Sequence, residues 1–203
     1  MKGNLFTGGN TENWDRVEND YYATPPEDTR LFLENYDITR FKNILEPSCG
    51  EGHMSEVIKE YMGIDAILTS RDLIDRGYGE VKDFLSTTNE KYDLVITNPP
   101  FSHALEFIKK GLELSDTVIV LAKIQLLEGK ARSEELQHLG LKEIYGHVER
   151  CNCWRNGESL NPKTGKPWSG AMFMAWYVFE KGYEGKPEYN WLFKAKHETK
   201  RKG

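Results

Sequence analysis

The chain contains no apolar run near the roughly 20 residues that a helix needs to cross a bilayer, so a helical membrane protein is excluded from the reading of its 203 residues. The opening Met1-Lys2-Gly3-Asn4 has no apolar core to serve as a secretion signal. Cysteine is scarce. Cys49, Cys151 and Cys153 are an odd number and cannot all pair within the chain, which points to a reducing cytoplasm. The Cys151-x-Cys153 pair lies near His147, but it lacks Cys-x-x-Cys spacing and a second pair, so no metal is expected. A structural pair near a strand end is the simpler reading. Positive charge is not in excess, with 27 Lys and Arg against 32 Asp and Glu and a net charge of -5. That argues against a protein that coats nucleic acid, but not against a local basic groove.

What is present fits one α/β domain, at 38% hydrophobic and 29% charged residues. Residues 1–20 carry glycine, asparagine and charge without periodicity and read as an extended arm. A single domain is expected over 21–193, followed by a basic tail at 194–203. Within it, Thr29 to Tyr36 reads as a short helix and Asn43 to Glu46 as an apolar strand. Ser55 to Met62 places Val57, Ile58, Tyr61 and Met62 on one helical face. Short strands follow at Ala66 to Leu68 and within Glu80 to Leu85, then Tyr92 to Thr97, suited to burial on both faces. Ser102 is the expected N-cap of a helix carrying Leu105, Phe107, Ile108 and Leu112. Thr117 to Ala122 is the most strand-like segment.

Alternation of strands and helices predicts a doubly wound, mostly parallel sheet. Leu141 to Val148 and Ala171 to Glu180 then form an antiparallel hairpin around a polar loop inserted at about 153–170. Tyr189, Trp191 and Phe193 alternate as on a strand and read as a core face.

Two strand-end segments carry chemistry. In Glu46-Pro47-Ser48-Cys49-Gly50-Glu51-Gly52, glycines would let a ligand approach the backbone, and the helix that follows offers free amides to a carboxylate. Cys49 there is read as a packing residue, not a nucleophile. A carboxylate after the next strand, Asp72 with Asp75 in reserve, suits the hydroxyls of an adenosine ribose. Asp83 could bind the adenine amine, beside the apolar Phe84.

Asn98-Pro99-Pro100-Phe101 follows a strand and precedes a helix. The prolines fix two backbone angles and remove two donors, leaving carbonyls unclaimed. An amine conjugated to an aromatic ring is a poor nucleophile, because its lone pair is delocalised. Two acceptors, the Asn98 side-chain oxygen and the Pro99 carbonyl, would localise that pair and stabilise the charge developing on nitrogen. Phe101 would stack on the ring. A turn that merely ends a strand explains the prolines, but neither the asparagine nor the phenylalanine.

With Tyr92-Asp93-Leu94-Val95-Ile96-Thr97 before it and the glycine segment upstream, this tetrapeptide resembles the amino-methyltransferases acting on adenine, the short phage-type DNA enzymes above all. The resemblance runs from about Tyr21 to Trp191. It implies a seven-stranded Rossmann-like sheet, S-adenosylmethionine as cofactor, nucleic acid as partner, and Asn98 to Phe101 as catalytic. It also implies that Tyr22-Ala23-Thr24-Pro25-Pro26 packs over the cofactor's methionine end, adding Thr24 and Pro25 to the cofactor residues. Asn98 is expected on the same resemblance to touch cofactor as well as acceptor. Ser48 and Cys49 replace the pair that many members carry before the first glycine, and the chain has no room for a separate target-recognition domain. Trp154, Arg155, Lys163, Lys166 and Trp168 interleave base and aromatic in the inserted loop, a pattern that suits nucleic-acid binding. DNA is preferred as substrate. RNA adenine, a protein glutamine amide and a non-catalytic cofactor-binding module are the alternatives.

Overall fold

A computed structural model describes residues 21–149, 151–168 and 173–194. The expected arm at 1–20 lies outside them, as does the basic tail beyond Lys194. In chain order the elements are β1 (Tyr22–Ala23), α1 (Pro26–Leu33), β2 (Asn43–Glu46), α2 (His53–Tyr61), β3 (Ile67–Asp72), β4 (Glu80–Val81), β5 (Leu94–Thr97), α3 (Ala104–Leu114), β6 (Thr117–Lys123), α4 (Lys130–His138), β7 (Leu141–His147), β8 (Trp154–Arg155), β9 (Met174–Glu180) and β10 (Glu188–Leu192). The main sheet runs β10-β7-β9-β6-β5-β2-β3-β4. All its pairs are parallel except those of β9 with β6 and β7.

Burial on both faces explains the apolar runs. Ile44, Leu94, Ile96, Ile119, Leu121 and Trp176 pack in one core with α1 and α2. Their strand neighbours Leu45, Val95, Val118, Val120, Tyr177 and Phe179 pack in a second core with α3 and Leu136 of α4. Successive side chains thus feed opposite layers, as the two-residue strand period requires. Among the described residues no helix is long and apolar enough to cross a membrane.

The sheet is of the expected kind, but has eight strands in place of the expected seven. The extra strand is β10, parallel to β7 at the edge. It alternates as the sequence suggests, but faces the other way. Leu192 is buried, while Tyr189 and Trp191 turn outward and pack edge-on at 4.8 Å, and Phe193 also stays exposed. Tyr189 lies over Gly146, where a Cβ would meet its hydroxyl.

Other departures are local. Helix α1 starts at Pro26, in the first helical position where a missing amide costs nothing. A 3-10 turn at Phe101–His103 precedes α3, so its N-cap is His103 and not Ser102. Strand β3 continues to Asp72, well past Leu68. Helix α4 has no amphipathic signature, because Leu136 is its single buried side chain. The inserted loop is not wholly irregular: β8 pairs antiparallel with β1, Ala23 opposite Trp154 and Tyr22 opposite Arg155.

Trp176 is the largest fully buried side chain and stacks on Phe32 of α1 at 4.4 Å, joining helix to sheet. Trp176→Ala should lower unfolding free energy by about 3–5 kcal/mol in urea titrations. Trp176→Phe should retain most of it, since the indole nitrogen has no hydrogen-bond partner. Equal losses for both variants would contradict stacking as the source.

Candidate active site

The strand order reverses at β2, whose neighbours are β3 on one side and β5 on the other. Crevices at such switch points, outside the carboxyl ends of the strands, are where open α/β sheets bind ligands. Here β2 ends in Glu46 and the chain turns through Gly50 and Gly52 at φ +55° and +87°. Both angles favour glycine. A Cβ on Gly50 would also sit 2.6 Å from the Tyr21 ring. Asp72, at the end of β3, holds this turn: its carboxylate accepts the Gly50 amide at 2.8 Å and the Ile74 amide at 3.0 Å. The Cys49 amide donates to the Arg71 carbonyl at 2.8 Å. Helix α2 then begins at Gly52 without a side-chain cap.

Glu46 is 1% exposed. Its carboxyl accepts the Ser55 hydroxyl, which lies 2.6 Å from that of Ser70. Burial pushes its pKa up to about 8, against the smaller opposing effect of the Ser55 bond. Burial likewise pushes the Cys49 thiol up to about 12, which fits a packing residue and not a nucleophile.

At the end of β5 the Asn98 carboxamide is held by its nitrogen. Nδ2 donates to the Tyr22 carbonyl at 2.8 Å and to the Thr24 hydroxyl at 3.0 Å. Ser48 donates to the Asn98 main-chain carbonyl at 3.3 Å. The Asn98 Oδ1 is therefore left buried and without a hydrogen-bond partner. Such an acceptor is costly unless a ligand supplies the donor. The Pro100 carbonyl accepts the His103 amide, whereas no described backbone amide donates to that of Pro99. Phe101 packs against the Tyr22 ring at 5.1 Å and 31°, with the Lys123 ammonium 4.0 Å from its ring centre.

These ends enclose a cavity of about 290 Å³, near the lower limit of pockets that hold small ligands, roughly 300 Å³. Of the residues expected to bind a cofactor, Thr24, Glu46, Pro47, Ser48, Asp72 and Asp83 line it, as do Phe84 and Asn98. Pro99 and Pro100 line it too. Pro25 instead borders a second, smaller hollow with Trp154 and Trp168. Gly50, Gly52 and Phe101 are not among the main cavity's lining residues. Asp75 receives only the Gly77 amide of its own turn. In the inserted loop, Trp168 donates to the Glu158 carbonyl at 2.6 Å and lies 5.0 Å from the Arg155 guanidinium. Lys163 and Lys166 are exposed.

Sequence reading misses Tyr21, Ile74, Arg76 and His103 as cavity residues. None stands out in the sequence, and only the folding of the segment before β1, of the loop after β3 and of the 3-10 turn after β5 brings them in. Among the described residues no three His, Cys, Asp or Glu side chains are placed to hold a metal ion. Cys151 and Cys153 are buried free thiols with their sulfurs 3.5 Å apart.

No protein-family model and no curated protein sequence matches the chain. Solved structures do. The methyltransferase subunit of a type I restriction-modification system from Streptococcus thermophilus superposes with a TM-score of 0.58 at 12% identity, over 79% of this chain and 45% of that one. A Pyrococcus horikoshii protein named as an RNA methyltransferase gives 0.56 at 17%, over 79% and 86%. A SAM-dependent O-methyltransferase from Thermotoga maritima gives 0.51 at 17%, over 81% and 69%. The chain spans about half the length of the type I subunits it matches. The chain therefore has a Rossmann-like fold similar to that of these methyltransferases, with its crevice at the β2–β5 switch.

The Glu46 carboxyl makes a pH-dependent contribution. Its folded pKa of about 8 lies above the ordinary 4.5, so the folded state holds the proton that the unfolded chain releases. Stability should then fall as pH rises from about 4.5 to about 8 and level off above, by on the order of a few kcal/mol. Glu46→Gln should flatten this decline in thermal melts between pH 5 and 9. Parallel profiles for variant and wild type would place the source elsewhere.

Proposed function

We propose that the chain transfers a methyl group from S-adenosylmethionine to the exocyclic amine of adenine in DNA. The observation that carries this reading is the Asn98 carboxamide, whose nitrogen is occupied twice and whose buried oxygen is free. That oxygen is an acceptor pointed at nothing in the protein, which is what an amine hydrogen of the substrate requires. With the Pro99 carbonyl as second acceptor, the amine is drawn toward tetrahedral geometry and its lone pair becomes available. The developing positive charge on nitrogen meets two fixed dipoles in a water-poor site. Excess proton leaves to water, since a methylated aryl ammonium is strongly acidic.

The cavity also fits the cofactor. The Gly50 turn admits backbone approach, the uncapped start of α2 favours a carboxylate, and Asp72 retains free lone pairs for ribose hydroxyls beside Asp83 and Phe84 for the adenine. When bound, S-adenosylmethionine supplies an electrophilic methyl on sulfonium. The chain's own residues orient the acceptor and exclude water. An adenine in a duplex must be flipped to reach Asn98, and Phe101 is the aromatic proposed to stack on it. RNA adenine is the alternative substrate, supported by a fold likeness to a protein named as an RNA methyltransferase.

Asn98→Ala should lower methyl transfer about 100- to 1000-fold, with a far smaller loss of cofactor affinity by calorimetry. Turnover close to wild type would remove the mechanism. In the inserted loop, the exposed Lys163 and Lys166 are proposed to bind the nucleic-acid backbone. Changing both to Glu should weaken nucleic-acid binding and reduce its salt slope by roughly one unit for each phosphate no longer neutralised. An unchanged slope would move the binding surface elsewhere.

A further inference from the structure

Arg76 stands four residues past the end of β3, in the loop that returns to β4. Its side chain is half-buried and lines the main cavity. Its Nε is buried and has no hydrogen-bond partner. Other described arginines differ. Arg71 donates to Glu80 and Glu90 at 2.7 and 2.6 Å, Arg30 to Glu60 at 2.7 Å, Arg40 to the Tyr36 hydroxyl and Arg132 to the Gln125 carbonyl. A buried guanidinium N–H without an acceptor is costly, and an anion in the cavity beside Arg76 would relieve that cost.

Its position is fixed from below. The Arg76 guanidinium carbon lies 3.8 Å from the Tyr21 ring centre. Tyr21 itself is clamped: its hydroxyl donates to Glu51 Oε2 at 3.1 Å and accepts the Glu51 amide at 3.3 Å. The same ring covers Gly50, leaving no space for a Cβ. A stacked guanidinium keeps its rigid fork of donors free at the edge, the geometry that matches a carboxylate with two parallel bonds. The fork is thus held beside the glycine turn, where α2 begins uncapped. The cavity wall is acidic, with Glu46, Asp72 and Asp83. At the glycine turn the carboxylates are already engaged, Asp72 by the Gly50 amide and Glu51 by the Tyr21 hydroxyl, and Arg76 supplies the cation.

We propose that Arg76 binds the α-carboxylate of the cofactor's amino-acid end, together with the first amides of α2. This rests on S-adenosylmethionine as the cofactor and adds the residue that reads its one anionic group. Arg76 thereby selects ligands that carry the whole amino acid over those that end at the thioether.

The test compares two probes that share adenosine and sulfur. S-adenosylhomocysteine has the carboxylate; 5′-methylthioadenosine lacks the amino-acid group. By calorimetry, Arg76→Gln should weaken S-adenosylhomocysteine about 10- to 100-fold and change 5′-methylthioadenosine by less than about twofold. Arg76→Lys, which keeps the charge and loses the fork, should fall between. Retained affinity for 5′-methylthioadenosine doubles as the check that the variant is folded. Equal losses for both probes, or none for S-adenosylhomocysteine, overturn the proposal. So does a loss confined to nucleic-acid binding, which would make a phosphodiester the anion. A wild-type protein that binds neither probe overturns the cofactor reading itself, a result that no mutant comparison produces.

Discussion

Everything at the site depends on which end of the Asn98 carboxamide is tied down. The amide nitrogen is spent on the Tyr22 carbonyl and the Thr24 hydroxyl, 76 and 74 residues away in sequence. Two charge-neutral bonds of this kind are modest in net stability. Their consequence is directional: they fix the carboxamide plane and leave the oxygen, not the nitrogen, without a partner. The same bonds anchor the chain ahead of α1 against the end of β5, so the cover of the cavity and its chemistry share one fastening.

That fastening extends outward. Tyr22 and Ala23 pair with Arg155 and Trp154, so the segment that orients Asn98 also forms a ribbon with the inserted loop. The Tyr21 hydroxyl accepts the Glu51 amide, and its main-chain carbonyl accepts the Asn156 amide at 3.1 Å. The glycine turn, the asparagine and the base of the exposed loop are consequently joined through three consecutive residues, Tyr21 to Ala23. A displacement of the loop has to pull on the site, because these residues bond directly to both.

The parts of this arrangement that are legible in sequence are those whose cause is local. Val95 and Ile96 of β5 read as doubly buried because a strand between two helical layers has no polar face to offer. The Asn98 tetrapeptide is visible because two prolines, an asparagine and an aromatic have few joint purposes at a strand end. What stays hidden depends on distant partners. Helix α4 buries only Leu136, so its period carries no signal. Tyr189 and Trp191 have the alternation of a core strand, yet the register of β10 on β7 turns Leu192 inward in their place. Tyr21 and Arg76 join the cavity through a stack across 55 residues, which no spacing rule anticipates.

Charge completes the logic. A chain of net charge -5 that is proposed to act on a polyanion has to separate its signs in space. Glu46, Asp72 and Asp83 line the cavity, and the most deeply buried of the three, Glu46, is kept largely protonated at neutral pH by its own burial. The described cations of the inserted loop, Arg155, Lys163 and Lys166, are carried on β8 and the turn beyond it, outside the main cavity. Screening within about 8 Å at physiological salt lets an exposed lysine attract phosphate without cancelling carboxylates deep in the fold. The acidic cavity and a basic approach can therefore coexist on one small sheet, provided that the loop is held to the site, which is the work of the three residues from Tyr21 to Ala23.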